Sequence, residues 1–296
     1  MTLTSVFSRR NLLSNEETIG IICVSIIILS INIVLSTSTL LIIIVTGQRT
    51  SNTSNRIMFY LTVVDLATAG YRVLIILLVL DHQKTTFSVE FEILVQFITS
   101  LVSNMSGYIV VLLALDRYLH VKYLTDITSK FTNTKTDLLT GAAFLTSTLF
   151  ALTTIIDNLW IQYEALRFVR YSVNGVLLVI AIMLYIMTVR TIKKYKQEAM
   201  YKTTLQKLDK TVTMLSSACM FSLTLFFTPI NILLVIRALL NVEIWQKCHL
   251  ELYFHIAILF AQCNTIFNAT MYLVVNRKAK KVLFTLFNKD YGAIRK

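Results

Sequence analysis

Residues 17–46 read ETIGIICVSIIILSINIVLSTSTLLIIIVT, a run in which Glu17 is the only charged residue. A helix crosses the hydrocarbon layer of a bilayer with about 20 mainly apolar residues, and this run exceeds that length. Six further stretches meet the same criterion, each bounded by polar residues: 56–80, 88–118, 138–157, 160–192, 210–239 and 250–275. The whole chain agrees with them. Of its 296 residues 55% are hydrophobic and 15% charged, against about 25% charged in ordinary soluble domains, and the mean hydropathy is +0.68. Such a chain has too little polar surface to cover its core in water, which argues against a soluble enzyme. One proline and seven glycines argue against collagen-like and disordered classes. The reading is an all-α integral membrane protein, a seven-transmembrane helix bundle followed by a short amphipathic helix. The expected organisation is an extracellular tail over 1–16, the bundle over 17–276, a cytoplasmic amphipathic helix over 277–288 and a tail over 289–296.

The net charge of +12 would suggest nucleic acid in a soluble chain. Placed on the seven stretches it becomes a topology signal. Of the 28 Lys and Arg residues, 20 fall in the segments on one side, seven on the other, and Arg72 lies within a span. Short basic loops stay in the cytoplasm, so the N-terminus is expected outside, with no nucleic-acid partner. No cleavable signal peptide is evident in 1–15, which lacks an apolar core. Cys23 and Cys248 lie near the outer face and form the candidate disulfide, although spacing does not fix the pairing. No metal-ligand spacing and no nucleophile–base pair appear, so neither a metal centre nor an enzyme is expected.

Ionisable groups inside a span are costly and mark function by default. Asp65 and Arg72 stand seven residues apart, close to two helical turns, and share one face. The third stretch carries Thr99, Ser103, Ser106 and Arg117 at three- and four-residue steps. The seventh carries Glu251, His255, Gln262, Thr265, Asn268 and Tyr272 at similar spacing. Small polar residues of this kind also serve as ordinary helix–helix glue.

Several of these residues fall into recognisable motifs. The third stretch ends in Asp116-Arg117-Tyr118; the second holds Leu61 and Asp65 as L-x-x-x-D; the sixth holds Phe226-Phe227-Thr228-Pro229. The seventh holds Asn268-Ala269-Thr270-Met271-Tyr272, and Tyr185 sits late in the fifth. Together they resemble the D-R-Y, C-W-x-P and N-P-x-x-Y signatures of rhodopsin-like (class A) G-protein-coupled receptors, with only the proline kept in the second and alanine for proline in the third. The resemblance covers the whole chain. It departs from the family in lacking the loop disulfide, the span-four tryptophan and the span-five proline. It implies a cell-surface receptor in the plasma membrane that activates heterotrimeric G proteins when span six swings outward about Pro229.

Arg117 needs a partner at rest. Asp209 lies 20 residues before Pro229, about 30 Å along a helix and so at the depth of Arg117, and an Arg117–Asp209 ion pair is expected. Asp65, Ser106, Asn264 and Asn268 match the positions of the family's sodium pocket, whose oxygen donors suit a hard cation. No other cofactor is implied, and Gln262 at the retinal-lysine position excludes a Schiff base. The implied ligand pocket is the outer half of the bundle, with Arg72, Gln96, Thr99, Ser103, Arg170, Phe227, His255 and Gln262 as candidates. Thr99 occupies the amine-binding aspartate position, so a protonated amine has no counter-ion there. An anionic ligand would match Arg72 and Arg170; the alternative is that Arg72 pairs with Asp65 or Glu251. Small-molecule, lipid and peptide ligands stay open. Membrane lipid is the other expected partner, at the basic amphipathic helix. Two competing functions are a heptahelical transporter or channel using Asp65 and Arg72, and a non-signalling protein that keeps the architecture.

Overall fold

The computed structural model describes residues 15–50, 53–81, 89–123, 132–156, 164–197, 225–226, 228–233, 236, 250–276, 279–282 and 284–285. Six long helices account for most of them: α1 (Asn15–Val45), α2 (Thr53–Asp81), α3 (Val89–Lys122), α4 (Asn133–Ile156), α5 (Glu164–Gln197) and α6 (Leu250–Val275). The described residues contain no strand. The shortest, α4, has 24 residues, about 36 Å of helix, which exceeds the roughly 30 Å hydrocarbon layer. All six are long and apolar enough to cross a membrane. They correspond to the first five and the seventh of the apolar stretches. Most of the sixth stretch lies outside the described residues, although 228–233 is helical around Pro229. The Phe226 ring lies 6.1 Å from Phe267 and 6.4 Å from Phe260 on α6.

The distribution of polarity is the reverse of that in a water-soluble bundle. On α1, Ile27, Val34, Leu41 and Ile44 are exposed, while Ser25, Asn32, Ser36 and Thr39 are buried. The same inversion holds on α4, where Leu138, Leu145 and Leu149 point out and Thr136, Thr140 and Ser147 point in. So much outward apolar surface is stable only against lipid. Outward hydroxyls are handled locally: Ser30, Ser38, Thr146 and Thr148 each donate to the carbonyl four residues back, at 2.7–2.9 Å. None of these four donors is left facing hydrocarbon.

Register comes from a few cross-helix bonds. Thr53 Oγ1 donates to Asp116 at 2.6 Å near one end of α2 and α3, and the Tyr71 hydroxyl donates to the Val95 carbonyl at 2.5 Å near the other. The two helices therefore run antiparallel, while α1 packs on α2 and α6 packs mainly on α1. Val121 of α3 meets Ile192 of α5 at the Asp116 end. Arg49, Lys122, Lys135, Arg190, Lys193, Lys194, Lys280 and Lys281 are exposed around that end. These described basic residues are thus grouped at one end of the bundle.

The start of α4 differs from expectation. The apolar stretch begins at 138, but the helix begins at Asn133. Thr132 caps it, its hydroxyl accepting from Lys135 N and its carbonyl from Thr136 N. Asp137 then lies within the helix, accepting from the Tyr60 hydroxyl and ion-paired with Arg56 of α2, both at 2.8 Å. The apolar run stops short of Asp137, and the partners that hold this charge in the helix are 77 and 81 residues away in the chain.

At the end of α1, Thr46 N and Gly47 N donate to the carbonyls of Ile42 and Ile44 at 3.0 Å, and Gly47 adopts φ 62°. This left-handed cap turns the chain so that Gln48 enters the bundle. A Cβ at Gly47 would meet nothing within 4 Å, so its cost is conformational alone. Gly47→Ala is expected to lower stability by about 1–2 kcal/mol and Gly47→Asn by less, read as the thermal midpoint of the protein in detergent.

Candidate functional site

At the basic end the central residue is Asp116, fully buried on α3. One carboxylate oxygen accepts from Thr53 and the other from the Ser54 hydroxyl, both in the first turn of α2. The His120 ring nitrogen lies 3.3 Å from the carboxylate and 2.9 Å from the Asp116 carbonyl. A carboxylate at a helix N-terminus is also favoured by the helix dipole. The group thus ties α3 to the start of α2, and it forms no ion pair with its neighbour Arg117. Arg117 is half-buried, and its Nε has no hydrogen-bond partner among the described residues. Asp209, its expected partner, lies outside them. Tyr118 stands under Lys122, whose ammonium is 5.4 Å from the ring centroid. Tyr185 on α5 packs against the core cluster of Ile109, Val110 and Leu113.

A second knot joins the first turn region to α6. Gln48 is buried, and its Oε1 accepts from the Tyr272 hydroxyl at 2.7 Å and from Asn276 Nδ2 at 2.6 Å. The Asn276 Oδ1 in turn accepts from Ala279 N at 3.2 Å, capping the helical residues 279–282. There Ala279 is buried and Lys280, Lys281 and Phe284 are exposed. Gln48 carried no signal in the sequence reading, being one polar residue in a loop. The signal lay in Gly47, which makes its inward turn feasible.

At mid-depth, Asp65 of α2 is 3% exposed, with the Asn268 side chain of α6 against it. Asp65 Oδ1 has no hydrogen-bond partner among the described residues. Asn264 and Ser106 are buried on the same helices that carry Asn268 and Asp116. Two buried asparagines missed by the sequence reading join this layer. Asn32 on α1 accepts from the Ser36 hydroxyl at 2.9 Å, and Asn104 on α3 donates to the Ser100 hydroxyl at 3.4 Å. Their signal was position: Asn32 and Ser36 share the buried face of α1. A carboxylate oxygen without a donor among amide and hydroxyl oxygens suits a hard cation. Asp65 forms no ion pair with Arg72, so one of the two partners foreseen for Arg72 is not taken.

In the half away from the basic end, Tyr71, Arg72 and Thr99 come together across α2 and α3. The Tyr71 and Thr99 hydroxyls are 3.3 Å apart, and Thr99 also donates to the Val95 carbonyl at 2.8 Å. His255 and Gln262 are buried on α6, and Gln96 and Ser103 are half-buried on α3. The His255 ring meets Phe254 edge-on at 6.3 Å. The side chains of Arg170, Phe227 and Glu251, and the whole of Cys248, lie outside the described residues, while Cys23 is on the exposed flank of α1. No known family model matches the chain.

The Gln48 knot carries a direct expectation. Gln48→Ala removes the acceptor of both Tyr272 and Asn276 and leaves a buried hydroxyl without its partner. Stability is expected to fall by about 1–3 kcal/mol, with faster amide exchange confined to 276–285, measured by hydrogen–deuterium exchange in detergent.

Proposed function

We propose that the chain is a seven-helix cell-surface receptor of the rhodopsin-like class, with its basic end in the cytoplasm of the plasma-membrane-embedded protein. It binds a ligand in the outer half of the bundle and activates a heterotrimeric G protein. The observation that carries this reading is the treatment of Asp116 and Arg117. The aspartate of the D-R-Y triplet is held by Thr53, Ser54 and His120, which leaves the adjacent guanidinium at the helix end for another partner. At rest that partner is Asp209, at the start of span six; in the active state it is the G protein. Pro229 lies in a helical segment and lacks the N–H that would brace the preceding turn, so span six bends there and its cytoplasmic end moves outward. Tyr272, now bonded to Gln48, is the second element that must be released.

Asp65, Ser106, Asn264 and Asn268 would hold a sodium ion in the resting state, with Asp65 supplying the charge. The ion would stabilise the resting packing of α2, α3 and α6. The transporter reading has less support. Transporters bind substrate at interrupted helices, whereas α2, α3 and α6 are continuous through the Asp65 layer.

Purified protein in lipid nanodiscs is expected to accelerate GDP–GTP exchange on at least one class of purified G protein, and Arg117→Ala to abolish this. Absence of exchange with every class, with and without cell-derived ligand extracts, would overturn the receptor reading in favour of a non-signalling bundle. The sodium site is read separately. Replacing choline by sodium at constant ionic strength should raise the thermal midpoint of the wild type but not of Asp65→Asn; equal midpoints in both salts would sink the site.

A further inference from the structure

The outer half contains a charge that the described structure leaves uncompensated. Arg72 is seven residues beyond Asp65, which places it within about 20° of Asp65 on the helical wheel. Leu61, Asp65, Ala69 and Ile75 on that face are buried, while Val63 and Leu74 opposite are exposed. Arg72 therefore sits at the centre of the inward face of α2. It forms no ion pair among the described residues, and Asp65 is about 10 Å away along the axis.

A second group lies at the same depth. Asp65 and Asn268 face each other across α2 and α6, and these helices run antiparallel, α6 ending at the Gln48 knot beside the start of α2. Seven residues outward on α2 reach Arg72, and six residues outward on α6 reach Gln262, about 10 and 9 Å along the helix axes from the pair, with Gln262 turned about 120° round α6 from Asn268. Gln262 is buried, and its Oε1 has no hydrogen-bond partner among the described residues. The bond between Tyr71 and Val95 brings α3 alongside at this level. Farther outward, Ile75 and Ala257 are buried and apolar. A guanidinium and a carboxamide thus stand beneath an apolar layer.

We propose that Arg72 and Gln262 form an anion site for an amphiphilic acid, a carboxylate or phosphate monoester attached to an apolar body. An unpaired guanidinium inside a membrane is costly, and its planar fork matches two oxygens of one acid group. Gln262 adds an amide donor, and its Oε1 accepts a hydroxyl or protonated acid oxygen. The apolar layer houses the body of the ligand. This deepens the receptor reading and rests on it only for what binding accomplishes.

Full-length protein in phosphatidylcholine nanodiscs is tested with oleate, oleoyl lysophosphatidate and neutral monoolein, by equilibrium binding and thermal midpoint. One or both acids should bind saturably and raise the midpoint, and monoolein should not; the two acids separate the carboxylate from the phosphate source. Arg72→Gln should weaken acid binding about ten- to a hundredfold, Gln262→Leu less, and Arg49→Gln at the basic end not at all. If Arg72→Gln fails to fold, Arg72→Lys keeps the charge and loses the fork, and the same direction is expected. The proposal is overturned if neither acid outbinds monoolein, or if binding survives in the Arg72 variants. It also fails if Glu251→Gln destabilises the ligand-free protein as much as Arg72→Gln while the wild type ignores both acids, because an internal carboxylate then serves Arg72. Acid binding without nucleotide exchange would count against the receptor reading alone.

Discussion

Inside a bilayer no water is available to a polar group, and this constraint organises the bundle more than hydrophobic packing does. Lipid tails are as apolar as the outward leucines and isoleucines, so burying those residues would gain little. The inward faces instead collect what lipid cannot accept: Asn32 and Ser36 on α1, Asp65 on α2, Asn104 and Asp116 on α3, Asn264 and Asn268 on α6. Each helix is oriented by the side it must hide. Aliphatic residues such as Ile43, Ile57, Leu61 and Ile109 fill the space between these groups.

The same constraint explains why the polar groups are layered. At the basic end every carboxylate oxygen of Asp116 has a donor, and Gln48 satisfies Tyr272 and Asn276. Fully satisfied networks are stiff. At mid-depth and outward the account is incomplete: Asp65 Oδ1 and Gln262 Oε1 have no partner among the described residues, and Arg72 has no counter-charge there. A cation at Asp65 and an anion at Arg72 would complete opposite deficits about 10 Å apart. Two such sites would be coupled electrostatically through a low-dielectric interior, where charges interact more strongly than in water.

How much of this is legible in the sequence depends on how local its cause is. Apolar run length is local, so the seventh stretch, 250–275, coincides with α6, and α1 and α2 differ by a few residues from their runs. Asp65, Arg72 and Arg117 stand out because a charge in an apolar run is conspicuous by itself. Partners are not local. Nothing near Asp116 in the chain announces Thr53 and Ser54, which are more than sixty residues earlier, and Asp137 misled the start of α4 for the same reason. Gln48 is the extreme case: its role depends on a turn at Gly47 and on two residues more than 220 positions later.

Both satisfied knots converge on the short connection between α1 and α2. Gln48 receives α6 through Tyr272, and Thr53 and Ser54 receive α3 through Asp116, so the seven residues 48–54 link the ends of four helices. This connection is held on one side by the glycine cap of α1 and on the other by the first turn of α2. A displacement of α6 that freed Tyr272 would therefore pull on the segment that anchors Asp116, whose neighbour is Arg117. Packed interfaces switch between discrete arrangements and do not deform smoothly. Under the receptor reading, motion of α6 and release of the α3 arginine would be parts of one transition, joined by a short connection whose one charged residue is Arg49.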